Sequence, residues 1–119
     1  MAQKKQPFTL TVTHTAEAGS NDLAMHPVEE NILYCVQHLA VENETTDFTS
    51  IRVLVKERGD ELLLEEQLDP EGGLVYWMTD NVYLTPGQRL TARLAGCTAG
   101  DALRLYLRGW RQEGVMLDA

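Results

Sequence analysis

The sequence predicts an all-β fold, a single antiparallel β-sandwich or jelly-roll-like barrel of about seven to eight strands. Three observations carry that expectation. Leu90, Ala92 and Leu94 alternate with Arg89, Thr91 and Arg93, and Leu103, Leu105 and Leu107 alternate with Arg104, Tyr106 and Arg108. Period-two alternation puts one set of side chains in a core and the other in water. Turn-forming residues recur at short spacing, as at Gly59-Asp60, Asp69-Pro70, Gly72-Gly73 and Pro86-Gly87, and no segment has a helical period.

Taken in order, residues 1–7 are polar and end at Pro7, so they read as an N-terminal arm that is ordered only against another chain. Residues 8–112 read as the sandwich domain and residues 113–119 as a short C-terminal tail. Phe8, Leu10 and Val12 alternate with Thr9, Thr11 and Thr13, a β-branched first strand. Thr15 to Glu30 holds Gly19, Ser20, Asn21, Asp22 and Pro27 without a period and reads as one long loop. Asn31 to Glu42 is the second strand, with Ile32, Tyr34 and Val36 on one face and Leu33, Cys35, Leu39 and Val41 on the other. Apolar residues on both faces indicate a central strand or one covered by a partner.

A polar stretch from Glu42 to Ser50 leads into Ile51–Arg58, where Ile51, Val53 and Val55 alternate with Arg52, Leu54 and Lys56. Gly59 and Asp60 turn the chain into Glu61–Leu68 as a hairpin. Leu74 to Leu84 is expected as one apolar strand, followed by the Thr85-Pro86-Gly87 turn and the two alternating strands already described. The expected core is Ile51, Val53, Val55, Leu90, Ala92, Leu94, Leu103, Leu105 and Leu107.

A chain of 119 residues holds one such domain, and no run approaches the roughly 18 apolar residues of a membrane span. Threonines interrupt the apolar residues after Lys4 and Lys5, so the start does not read as a signal peptide. With two cysteines, Cys35 and Cys97, the chain lacks the dense spacing of a disulfide scaffold, and both are expected as reduced thiols. The net charge of −8 argues against nucleic acid or an anionic membrane as partner. That charge is uneven: residues 1–88 hold five basic and fifteen acidic side chains, whereas residues 89–119 hold five arginines and three acids.

No catalytic pattern emerges. His14, His26 and His38 with Glu29 or Glu30 match no metal-ligand spacing, and neither a metal nor another cofactor is expected. Cys35 and His38, three apart on a strand, should face opposite sides and so cannot form a nucleophile-base pair. Ser20 and Ser50 lack a nucleophile elbow, adjacent pairs such as Glu65-Glu66 diverge along a strand, and Gly72-Gly73 precedes a strand where a phosphate loop needs a helix. Tyr76, Trp77, Tyr83, Tyr106 and Trp110 would suit a sugar-stacking platform if two rings lay exposed and coplanar; Trp77 and Trp110, near strand ends, are expected instead as core plugs or edge covers.

The unusual surface is basic. If residues 95–101 are the loop of a hairpin, Arg93 lies opposite Arg104 and Arg89 opposite Arg108, an arrangement that like-charge repulsion disfavours. Either carboxylates of a neighbouring strand neutralise these arginines or an acidic protein partner does. With Lys4, Lys5 and Tyr106, the residues Arg89, Arg93, Arg104 and Arg108 form the expected protein interface.

The run Tyr83-Leu84-Thr85-Pro86-Gly87-Gln88-Arg89-Leu90-Thr91-Ala92, then Gly100-Asp101-Ala102-Leu103-Arg104-Leu105 and Gly109-Trp110, resembles the closing strands of small β-sandwich virion proteins of tailed bacteriophages. These include capsid decoration, or cement, proteins and neck or tail accessory proteins; as a pattern of strands the resemblance spans roughly residues 31–110. It implies a non-enzymatic structural component of the virion, made in the host cytoplasm and without a cofactor. Its partners would be a major capsid or neck protein and further copies of itself. A carbohydrate- or ligand-binding β-sandwich module, built on Trp77, Tyr76 or Trp110, is the alternative expectation.

Overall fold

The computed structural model describes residues 5–114, which form nine strands in two antiparallel sheets packed face to face as a β-sandwich. The strands are β1 (Lys5–Thr15), β2 (Gly19–Ala24), β3 (Ile32–Asn43), β4 (Ser50–Glu57), β5 (Asp60–Leu68), β6 (Tyr76–Met78), β7 (Val82–Leu84), β8 (Arg89–Cys97) and β9 (Ala102–Glu113). The first sheet runs β1-β9-β3-β6, with β7 also paired to β3; the second runs β2-β8-β4-β5. Lys4 and residues 115–119 lie outside the described residues, whereas Lys5 to Pro7, expected in the arm, belong to β1 and pair with Gln112, Arg111 and Trp110.

The core forms as the alternation requires. Leu90, Ala92, Leu94, Leu103, Leu105 and Leu107 are sealed from solvent, Ile51 and Val53 nearly so, and Val55 packs at the margin. Each leucine buried this completely contributes about 1.5–3 kcal/mol. Leu23, Val36, Leu39, Val41 and Leu84 join them.

Four expectations are corrected. The stretch 15–30 is not one long loop, because Gly19–Ala24 pairs with β8 as an edge strand. Leu74–Leu84 is not one strand: residues 79–81, Thr-Asp-Asn, interrupt it, and β6 and β7 pair with different halves of β3. The β4–β5 turn residues are Arg58 and Gly59, with φ of 50° and 88°, so Asp60 already belongs to β5. Positive φ at both central positions is the two-residue turn whose twist matches a hairpin. Most important, β8 and β9 are not a hairpin. They lie in opposite sheets, and the chain crosses the sandwich between Cys97 and Ala102.

A bulge in β3 changes its faces. The register against β9 passes from Val36↔Gly109 directly to His38↔Arg108, which leaves Gln37 unpaired. The extra residue returns Leu39 and Val41 to the core face already used by Tyr34 and Val36, in place of the opposite face expected from simple alternation. Gly109 makes room for it, since a Cβ there would lie 1.9 Å from the Cys35 carbonyl oxygen.

Candidate protein-contact face on the first sheet

The register of the first sheet determines which side chains share its outer face. Leu103, Leu105 and Leu107 point into the core, so Arg104, Tyr106, Arg108 and Trp110 of β9 point outward. Their partners align in rows across the sheet: Pro7, Trp110, Cys35 and Tyr83; then Thr9, Arg108 and His38; then Thr11, Tyr106, Ala40 and Trp77; then Thr13, Arg104 and Glu42.

The aromatic content of this face is unusually open to solvent. β6 and β7 have three residues each, and the middle one of each points outward: Trp77 is 71% exposed and Tyr83 57%. Trp77 is therefore not a core plug. The His38 and Trp77 rings meet edge-on at 5.3 Å and 75°, Tyr83 and Trp110 at 6.3 Å and 70°, and Lys5 Nζ lies 4.3 Å over the Trp110 ring. Both aromatic pairs are steeply inclined, so neither forms a coplanar stacking platform. Sequence reasoning passed over His38 as a surface residue here; the Thr79-Asp80-Asn81 break was the available sign that Trp77 and Tyr83 sit on short edge strands.

The cations of the face differ in how they are neutralised. Arg104 reaches Glu42 at 3.5 Å and Glu44 at 3.2 Å. Arg108, between Tyr106 and Trp110, makes no ion pair with any described residue. Lys5 and Tyr106 share this face, and Lys4 lies outside the described residues.

The other two expected arginines are elsewhere, because β8 belongs to the second sheet. Arg93 stands opposite Arg52 and Arg89 opposite Lys56, so the anticipated pairings of Arg93 with Arg104 and of Arg89 with Arg108 do not occur. The contact between Arg93 and Arg52 is offset within the chain, whereas Arg89 makes no ion pair with any described residue. Arg93 donates to Glu61 at 2.7 and 3.0 Å and to Asp22 at 2.8 and 3.0 Å, and Arg52 donates to Glu66 at 2.6 Å. The hydrogen bonds to Glu61 and Asp22 raise the Arg93 pKa, while those from Arg93, then Lys56, hold Asp22 below the usual carboxylate range. Arg93 thus closes a clasp across β2, β8 and the β4–β5 hairpin.

The chemistry weighed from sequence also changes at the bulge. Cys35 and His38 both face outward, not to opposite sides, because Gln37 absorbs one step of the alternation. Cys35 is nevertheless fully buried, and desolvation pushes its thiol pKa up, away from nucleophilic use. Burial does the same to Cys97, and neither cysteine is in a disulfide. His14 lies on β1, His26 contacts Glu29 at 2.9 Å, and His38 packs on Trp77. Among the described residues no group of three or more metal-ligating side chains converges.

A groove opens where β5 and β6 splay apart. This groove, about 290 Å³, is floored by Leu39, Val41, Ile51 and Val53 and bordered by Tyr76 and Glu65. Compared with known proteins, the chain matches no protein-family model and no curated sequence.

Proposed function

We propose that the protein is a non-enzymatic structural component of a virion, a capsid decoration or neck accessory protein, which binds another protein through the outer face of its first sheet. The observation that carries the contact is the exposure of Trp77 and Tyr83 beside Arg108, a guanidinium without a carboxylate partner among the described residues. Tyr, Trp and Arg are the residues enriched at energetic centres of protein interfaces. A partner with a carboxylate near an apolar patch would complement both features. The virion setting is supported by the resemblance of residues 31–110 and by a surface suited to contact. The test is to fractionate virions from infected cells on a density gradient and quantify the chain by mass spectrometry. Wild type should co-migrate with particles and the Arg108→Gln, Trp77→Ala double variant should not; wild-type protein found only in the soluble fractions would reject this reading.

The β5–β6 groove favours a second reading, a ligand-binding module, since Tyr76 and Trp77 border an apolar floor. A glycan array and thermal-shift screen decide it: saturable binding abolished by Tyr76→Ala would support the module and displace the structural role.

A further inference from the structure

Antiparallel sheets end in rows of unpaired N–H and C=O groups, and soluble proteins ordinarily protect them with short strands, bulges or charges. Three of the four sheet edges here carry such protection. β6 and β7 have three residues each; β2 is short and its register is broken between Gly19 and Asn21; and β5 has a register shift opposite Val53 and Leu54 and carries Asp60, Glu61, Glu65 and Glu66. β1 carries such a device only at its start, in Lys5 and Pro7; from Phe8 to Thr15 it has no lysine, arginine, proline or bulge. It runs for eleven residues in unbroken register and contains no carboxylate, in a chain with eighteen.

The free groups of β1 can be assigned. The Ala16 N–H donates to the Asp101 carbonyl, so residue 16 directs its backbone toward β9. Direction alternates along an antiparallel strand, so the even residues from Gln6 to His14 bond β9, and Thr9, Thr11, Thr13 and Thr15 direct theirs to the open edge. Pro7 falls on the same open side, where its missing N–H costs the sheet nothing. Phe8, Leu10 and Val12 remain only partly buried at this margin.

We infer that two copies of the chain associate through β1, edge to edge and antiparallel, about a two-fold axis at Thr11. In this register Thr9 of each copy lies opposite Thr13 of the other and Thr11 opposite Thr11, all on backbone groups that point outward. Thr–Thr is a favourable cross-strand pair. On the core side Leu10 meets Val12 of the second copy and covers the partly buried margin. Beyond the pairing of Pro7 with Thr15, Lys5 of one copy comes to the position of exposed Glu17 in the other, and the symmetry repeats that opposite-charge contact. The β5 edge gives no such match, because two copies would bring eight carboxylates together. A two-fold pairing is closed, so it ends at the dimer. It joins the two outer faces into one surface with two copies of Arg108 and Trp77, and a partner with repeated sites would gain from that bivalency. The inference concerns the edge alone and stands or falls separately from the face.

Sedimentation velocity of the full chain over a hundredfold range of concentration tests it. Wild type should pass from monomer to twice that mass; Thr11→Glu and Thr11→Lys should each remain monomeric, and an equimolar mixture of the two should recover the dimer. Leu63→Lys on β5 should dimerise like wild type. A wild-type chain that is monomeric throughout, or a dimer abolished by Leu63→Lys and indifferent to the Thr11 variants, overturns the proposal. If the Thr11 variants do not fold, hydrogen exchange on wild type decides: the Thr9, Thr11 and Thr13 amides should gain protection as concentration rises, and exchange at free-amide rates at every concentration overturns it.

Discussion

Asn43 at the end of β3 donates its side-chain amide to Asp101 Oδ2 at 2.9 Å, tying the first sheet to the crossover that brings the chain back from β8. The same oxygen accepts from the Thr46 hydroxyl at 2.7 Å and the Thr98 N–H at 2.8 Å. Asp101 is only 2% exposed, and burial alone would raise its pKa. The donors from Thr46, Asn43 and Thr98 outweigh that and hold it below its ordinary value of 3.8. A lowered folded-state pKa contributes stability that is present above the unfolded value and lost as pH falls through the folded one. The resistance of wild type to urea should therefore fall steeply below about pH 4, and Asp101→Asn should flatten that acid limb. At pH 7, Asp101→Ala should cost about 3 kcal/mol by leaving buried donors unmatched.

Arg93 and Arg108 should respond oppositely to neutralisation. Arg93→Gln breaks the clasp to Asp22 and Glu61, and its partly exposed geometry limits the loss to the order of 1 kcal/mol; under the proposed function, association with the partner is unchanged. Arg108→Gln should leave the melting temperature unchanged and weaken association. Calorimetry and a binding assay on both variants check the pair.

Trp77 at 71% exposure adds little to folding, so Trp77→Ala should shift stability by less than about 0.5 kcal/mol. If it anchors a partner, the same change should cost about 2 kcal/mol or more of binding. Chemical denaturation beside titration calorimetry separates the two effects.

Gly109→Ala should destabilise the fold by about 1–3 kcal/mol, because the new methyl meets the Cys35 carbonyl at 1.9 Å and either strand must shift. Guanidinium unfolding measures it, and a stability equal to wild type would show that the bulge tolerates a side chain.

The strands with clean alternation were legible in the sequence, and so were their buried members, because period two is a property of the backbone that needs no neighbour to express it. Leu90, Ala92, Leu94, Leu103, Leu105 and Leu107 are buried as that pattern requires. Even the exposure of Trp77 had a local sign, in the Thr79-Asp80-Asn81 break. β2 was hidden because its polar Gly19–Ala24 sequence is held at an edge by Arg93, seventy-one residues away from Asp22 in the chain. The assignment of Arg93 and Arg108 to different surfaces was decided by tertiary structure alone. Alternation tells which side of a strand faces the core, but the crossover at Asp101 decides which sheet the strand joins, and its hydrogen bonds to Asn43 and Thr46 exist only after distant segments have come together. The single unpaired residue Gln37 acts in the same way, reversing the faces of half of β3 through a bulge that depends on Gly109 of another strand giving it room.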